Sequence, residues 1–449
     1  MTVSVSDYVG VMGVEERNRK IPLIATAIAF NASIVENWEG KDGLYGVEMG
    51  SKRFVVNARD FDIANALSKE IKSRMIDREG IQQEYLSPSN VIDVVDIAQM
   101  LLSSKTDERS GKKGILVLKD QSGSGWWRVN LPAQYMDADG WYMDITSGSA
   151  DMDRCMEYDT VVVQRLHSWE QYYTLRKIKD SGRRVIYDID DDLSSIPPSN
   201  RAFYEVGNDG WKAASACMRL ADVVTTSTPY LGDRMKQLVG IDPIVIPNAW
   251  NSDDNWLPTN EIGSPDGYKR ILWQGGSTHK EDWAECADAV IEVFKNREDV
   301  KLVILGYFPQ EILPLLDNPA NGERIEYVNF NDVETYYEIL HHVRADVGLA
   351  PLENNQFNLS KSNCKWIEYS CVGVPIVASD IGPYSDIKNG VDGVLVKSYD
   401  GWLDAINRLL DSPEDGRRIV GSARERVAKN YDIRNTALIW QNVFIGEGI

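Results

Sequence analysis

The sequence has no apolar run long enough to cross a bilayer. Its longest, Ile21 to Ala32, falls short of the roughly 20 residues that a spanning helix needs. The run follows Glu15, Glu16, Arg17, Arg19 and Lys20 and lacks the small-residue cleavage site of a leader, so it reads as a buried core segment. Cysteine is scarce and odd in number: five residues, at 155, 217, 286, 364 and 371, with no Cys-x-x-Cys pair. That pattern argues against a disulfide framework and a zinc site, and fits small core side chains in a reducing cytoplasm. Positive charge is also short. Lys and Arg number 48 against 68 Asp and Glu, a net charge of −20, and the acidic excess falls almost wholly after residue 112. This balance disfavours a general polyanion binder, although a local basic groove can sit on an acidic body. No repeat of solenoid length is visible. What remains is ordinary for a globular protein: 449 residues, 43% hydrophobic and 26% charged, enough for two or three domains with their own cores.

Three zones follow from the patterning. Residues 1–112 read as an accessory α+β module. Phe54 to Val56 is a strand; Ile63, Leu67, Ile71 and Met75 repeat at helical spacing within Asp62 to Glu79; a second helix runs from a Ser89/Asn90 cap to Leu102; and Ser103 to Lys113 is a polar linker. From Gly114 the pattern becomes β-branched runs alternating with amphipathic helices. Strands are expected at Ile115–Leu118, Thr160–Val163, Val185–Tyr187, Val223–Thr225 and Ile244–Ile246, with helices near 209–220 and ending at Lys179. After a loop over 251–267 the alternation restarts. Strands are expected at Ile271–Trp273, Leu302–Leu305, Arg324–Tyr327, Val347–Leu349, Ile376–Ala378 and Val394–Val396, with a helix from Lys280 to Asn296. Two parallel sheets, each covered on both faces, place a ligand cleft at their strand carboxyl ends.

The most informative stretch runs from Asn358 to Ser379. Ser360 or Ser362 can cap a helix there, Gly373 suits a left-handed end, and Pro375 forces the exit into a strand. A helix N-terminus bearing Lys361 and Lys365 suits a diphosphate. Glu368, three residues after Lys365, shares its face and can accept hydrogen bonds from a ribose diol. A second element is the turn Gln274 to Lys280, where Gly275 and Gly276 let backbone amides approach phosphate and His279 is a candidate phosphate donor. A third is the run Asp188, Asp190, Asp191 and Asp192 at a strand end. It can be read as Mg²⁺ ligation, as capping of the next turn, or as acceptor positioning by Asp190 and Asp191, which we prefer. The loop Ser122 to Arg128, with Gly123 and Gly125, is by itself a weak dinucleotide fingerprint with Asp144 downstream. Arg165 and His167 occupy another strand end facing the same cleft.

Glu368 and the run Gly373, Pro375, Val377, Ala378, Ser379 resemble the nucleotide-sugar signature of the family-4 retaining glycosyltransferases, a Glu-x7-Glu helix followed by a Gly-x-Pro strand entry. Glu368 falls on the second glutamate, which in that family holds the ribose; Ser360 stands in place of the first. In the family, the glycine turn of the C-terminal half carries an arginine and a lysine for the leaving diphosphate. Here Gly276 stands at the arginine and Lys280 near the lysine, so Lys361 and Lys365 are expected to supply charge. The Asp-rich run resembles an O-antigen-type or bacteriophage variant of the family. The loop at Gly123 and Gly125 resembles its donor-sugar loop, with Arg165 and His167 nearby. Gly306, Tyr307 and Val328 would flank the nucleobase. Tyr431 and Trp440 fit a C-terminal helix that returns to the N-terminal half.

The resemblance implies an α/β protein of GT-B fold, with two Rossmann-like domains facing across a cleft. The expected division is 1–112 accessory module, 113–260 acceptor domain, 261–430 donor domain and 431–449 returning helix. It implies sugar transfer from a nucleotide sugar, UDP or GDP, with retention, no cofactor and no metal, in a bacterial or infected host cytoplasm. The acceptor, whether a carbohydrate, a lipid carrier or a modified DNA base, stays open. So do two other readings, a dinucleotide oxidoreductase and a non-catalytic sugar-nucleotide-binding protein.

Overall fold

The computed structural model describes strands Ser33–Glu36, Leu44–Met49 and Lys52–Asn57, and then residues 112–118, 123–136, 141–147, 153–250, 266–328, 336, 339, 340, 342, 343 and 344–446. The helices expected over 62–79 and 89–102, most of the 103–113 linker and most of the 251–267 loop lie outside the described residues. The chain divides into two compact units, Met1–Lys113 with Ala138–Ile145, and Gly114–Asp137 with Thr146–Ile449. In the first unit β1 (Ser33–Glu36), β2 (Leu44–Met49) and β3 (Lys52–Asn57) form an antiparallel sheet in the order β1-β2-β3. The strand expected around Phe54 is the centre of β3.

The second unit holds two parallel sheets. In the N-terminal half, β4 (Lys112–Leu118), β6 (Thr160–Gln164), β7 (Arg184–Ile189), β8 (Val223–Thr226) and β9 (Ile244–Val245) pair in that order; β5 (Trp141–Ser147), which follows β4 in the chain, belongs for the most part to the first unit. In the C-terminal half β10 (Lys269–Gly275), β11 (Val300–Gly306), β12 (Ile325–Val328), β13 (Val347–Ala350), β14 (Ile376–Ser379) and β15 (Val394–Val396) lie in the order β12-β11-β10-β13-β14-β15. The order reverses beside β10, between β11 and β13, and that is where a doubly wound sheet opens a crevice at its carboxyl edge. Every residue of β6, β13 and β14 is buried. Strands covered on both faces need such continuous apolar runs, which is why they were readable.

Helices fill the faces. Trp169–Asp180 begins with a capping box, in which the Ser168 hydroxyl accepts from the Gln171 amide and the Gln171 side chain accepts from the Ser168 amide. Ala202–Leu220 extends further back than the expected 209–220 because a first turn joins it across Gly207, whose backbone (φ 54°, ψ −173°) is not helical. The expected helix from Lys280 to Asn296 is shorter. Residues 277–285 form two tight turns, Ser277–His279 and Glu281–Glu285, and the regular helix starts at Ala287. Asp282 and Trp283 cause this. Trp283 is fully buried against Trp273, with ring centroids 5.3 Å apart, and buried Asp282 is held by long-range partners, so the segment follows tertiary contacts rather than helical spacing.

The chain ends on Pro413–Asn430 and Ile433–Ile445. Between them the Trp250 amide donates to the Tyr431 carbonyl and the Ile433 amide to the Trp250 carbonyl. The last helix lies on the N-terminal half: the Arg184 guanidinium donates to the Val443 carbonyl, and a side chain at Gly114 would run into the Phe444 ring. Trp440 is buried there under the Arg128 guanidinium, 5.0 Å from its ring centroid. Among the described residues no helix is long and apolar enough to cross a membrane. All five cysteines are free thiols.

Candidate active site

The site centres on the helix Cys364–Val372, which leaves the buried strand β13 through the short turn Gln356–Leu359. Its end is as the sequence suggests: Gly373 adopts φ 81°, where an L side chain would be strained, and Pro375 leads into β14. Its start is different. Asn363, not Ser360 or Ser362, occupies the cap, and no side chain accepts from the first-turn amides. Ser360 is fully buried and its hydroxyl donates back to the Gln356 carbonyl, while Ser362 points across to the other half. The Trp366 amide turns back to the Asn363 carbonyl at 2.9 Å, and the Asn363 side chain makes no cap bond to the first turn.

The helix meets the turn after β10 directly. Lys365 Nζ lies 3.2 Å from His279 Nε2, and His279 Nδ1 lies 2.7 Å from Asp282 Oδ2. Asp282 Oδ1 accepts from the Glu353 amide at 2.9 Å and from Asn358 Nδ2 at 2.8 Å. One turn along the helix, Glu368 Oε2 accepts from Gln274 Nε2 at 2.7 Å and from the Tyr336 hydroxyl at 3.0 Å. Lys365 and Glu368 are both buried. Burial, followed by the neighbouring Lys365 cation, pushes the His279 imidazole down to about 4, so it is neutral near pH 7. Burial likewise pushes the Lys365 ammonium down to about 8. Burial pushes the Asp282 carboxyl up, but the His279 contact, the Glu353 amide and the Lys361 cation together outweigh it and hold the group below its ordinary value.

The N-terminal half closes on the same helix start. Asn248 Nδ2 donates to Ser362 Oγ at 2.9 Å and to Cys364 Sγ at 3.0 Å, and the Thr228 hydroxyl donates to the Ser360 carbonyl at 3.2 Å. Arg165, just past β6, has φ 49°, a left-handed backbone that is uncommon outside glycine. Its guanidinium pairs with Asp190 and, at 2.8 Å, with Asp191. Lys361 lies 3.9 Å from Asp191 and 4.6 Å from the centroid of the Phe357 ring. The carboxyl edges of the two sheets therefore bring Arg165, Asp190, Asp191, Lys361, Lys365 and His279 to one place.

Other expected residues fall outside this group. Lys280 is exposed between the two tight turns that follow β10, because the 277–285 segment is not a regular α-helix. His167 turns back on its own loop, its Nδ1–H donating to the Arg165 carbonyl at 2.7 Å. Gly123 has φ 49°, but the chain is helical from Ser124 onward rather than an open glycine loop. Gly125 is buried, and Arg128, inside the π-type turn Trp126–Asn130, is sealed in the core. Asp192 performs the capping that was one reading of the Asp run: it is fully buried, accepts from the Ser194 amide at 3.0 Å and pairs with Arg234 at 3.1 Å. Gly275 ends β10, its carbonyl accepting from the Tyr307 amide, and the Gly276 carbonyl accepts from the His279 amide. Gly306 (φ 99°) and Val328 sit at the ends of the neighbouring strands, where Tyr327 is exposed and lies edge-on to Phe308.

Four residues that matter here were given no site role by the sequence. Gln274 and Tyr336 grip Glu368, Asp282 grips His279, and Asn248 reaches the helix start from the other half. Only Asp282, three residues after His279 on a turn, had a spacing that could have pointed to it.

The fold is GT-B: two parallel α/β halves joined at the carboxyl edges of their sheets. Its solved neighbours include Anabaena HepE in complex with UDP-glucose, at 12% identity and TM-score 0.56, covering 74% of this chain and 99% of that one. Sucrose-phosphate synthase from Thermosynechococcus elongatus is similar at 14% identity and TM-score 0.54, covering 75% of this chain and 98% of that one. Residues 268–412, the core of the C-terminal half, match the family described as Glycosyl transferases group 1. Glycogen synthase of Mycobacterium tuberculosis is 24% identical over 237 residues, 51% of this chain and 55% of that protein. The chain thus spans about half the length of the curated relatives it matches.

Proposed function

We propose that this protein is a glycosyltransferase that moves a sugar from a UDP- or GDP-linked donor to a hydroxyl acceptor with retention of configuration. The observation that carries the reading is the part-buried contact between the helix start at Lys365 and the turn at His279, with Lys361 and Glu368 at its sides. Breaking the bond from the anomeric carbon to the diphosphate leaves negative charge on the departing oxygens. Cations and helix-start amides held where that charge develops lower the barrier most. Residues 261–430 would take the donor, 113–260 the acceptor, and 431–449 would complete the returning helix. Asp190 and Asp191, fixed by Arg165, would orient the acceptor hydroxyl. Glu368 would face the ribose while Gln274 and Tyr336 hold its carboxylate in register. The lysines supply the charge that a divalent ion would otherwise bring, so turnover is expected to persist in chelator.

A thermal-shift screen over UDP-, GDP-, ADP- and CDP-sugars, followed by a donor-hydrolysis assay with the best binder, tests the reading. Stabilisation by a UDP- or GDP-sugar together with release of the diphosphate is the expected result. A flat screen overturns it.

A further inference from the structure

The side chains around Lys365 form a chain with one available direction of hydrogen bonding. Asp282 is an acceptor, so the 2.7 Å contact makes His279 Nδ1 the donor. A neutral imidazole that donates from Nδ1 has only a lone pair at Nε2, and that lone pair is 3.2 Å from the Lys365 ammonium. His279 therefore has no N–H left for a phosphate. Asp282 cannot swing away, because its other oxygen is held by the Glu353 amide and by Asn358.

We propose that His279 is a positioning residue: fixed by Asp282, it accepts from Lys365 and aims that ammonium at the donor's diphosphate without touching phosphate itself. The proposal rests on the glycosyl-transfer reading and deepens it. It also explains how this chain dispenses with an arginine at Gly276, where a side chain would meet open space. A lysine is a flexible point charge with three rotatable donors, and pinning one of them leaves two pointed at the ligand. The groups that face Lys365 are His279 and Asp282 from the turn, Lys361 before the helix, and Cys364 and Glu368 on the helix itself; Tyr384 stands beside Asp282, Cys364 and Glu368. The low His279 value, about 4, agrees with an imidazole that stays neutral beside two lysines.

The test is a double-substitution cycle read by UDP affinity across pH, with GDP used where the screen selects it. Against the unaltered protein, His279→Leu should weaken binding about 10-fold or more, the cost of a lost hydrogen bond to a charged group. His279→Gln, whose amide oxygen can still accept from Lys365, should keep most of the affinity. In a Lys365→Met background, His279→Leu should change little, since there is no ammonium left to aim. Binding of a UDP-sugar by the unaltered protein, whose diphosphate lacks the terminal phosphate proton that UDP loses at about pH 6, should be level from pH 5.5 to 7, with imidazole ¹⁵N shifts showing a neutral Nδ1–H ring. Additive losses in the cycle, or a binding step that follows protonation of His279, would overturn the proposal. If the unaltered protein binds no nucleoside diphosphate, the donor site itself fails and the proposal falls with it. That outcome is distinct from failure of the positioning role alone, in which UDP binds normally and the cycle is additive.

Discussion

Each half of the second unit buries a cation beside a carboxylate, and the two arrangements differ in one respect. In the N-terminal half Arg128 and Asp188 are both wholly buried and mutually saturated. Arg128 Nη2 meets Asp188 at 2.8 Å, Nη1 donates to Asn248 Oδ1 at 3.1 Å, and the Thr225 hydroxyl donates to Asp188 at 2.7 Å. In the C-terminal half Lys365 reaches Asp282 only through neutral His279, with a second cation, Lys361, close enough to disfavour its charge. A closed pair fastens strands together; a cation with its charge only partly answered keeps its remaining donors for other partners. Saturation, more than burial, separates the two arrangements.

The largest test of that contrast is Arg128→Met. It leaves Asp188 buried without its partner and should cost about 3–5 kcal/mol of unfolding free energy in urea. Replacing both partners by apolar groups, as in Arg128→Met with Asp188→Leu, should recover part of that. Lys365→Met should behave oppositely. Turnover should fall about 100-fold, the usual scale for losing one group that stabilises developing charge, while the melting temperature stays level or rises because an ion that is costly to bury has gone. If Lys365→Met unfolds the protein as readily as Arg128→Met does, the contrast is broken.

The pH profile is the next sharpest probe. Burial holds Lys365 at about 8, below the ordinary lysine value, so the free protein carries the cation below that pH and loses it above. The ratio kcat/KM reports the free enzyme, and it should fall as pH rises through about 8. Lys365→Arg should remove that limb. Gly276→Arg places a cation in open space on the exposed turn. It should strengthen donor binding a few-fold, the scale of an exposed ion pair, with stability unchanged. Asp191→Asn, which removes a half-buried partner of Arg165 and Lys361, should shift stability least, by under about 1 kcal/mol after solvent screening, and be read mainly as weaker acceptor use.

Most of the fold was legible because both sheets are parallel and covered. Runs such as Val161 to Val163 and Ile376 to Ala378 have no exposed face, and such a pattern admits little else. The helix from Cys364 to Val372 was legible at its end, where Gly373 and Pro375 punctuate it, but not at its start, where Asn363 takes the cap for reasons of tertiary placement. Lys365, Glu368, Asp190 and Asp191 stood out as candidates from their neighbours in the chain, and the structure brings Lys365, Asp190 and Asp191 to one place. The position of Lys280 was not legible, since it depends on whether 277–285 forms a regular α-helix, and Trp283 and Asp282 decide that through contacts within and beyond the turn.

By itself, then, the sequence determined the alternation of strands and helices, the two-sheet architecture and the short list of charged residues at strand ends. Those follow from local apolar periodicity and turn chemistry. Tertiary structure alone decided which charges are answered. Whether Arg128 lies in a loop or in the core, whether His279 donates to a phosphate or accepts from a lysine, and which residues grip Glu368 all depend on partners dozens of positions away. A hydrogen bond's direction follows from which groups meet and which of them carries the proton, and no spacing in the chain encodes that.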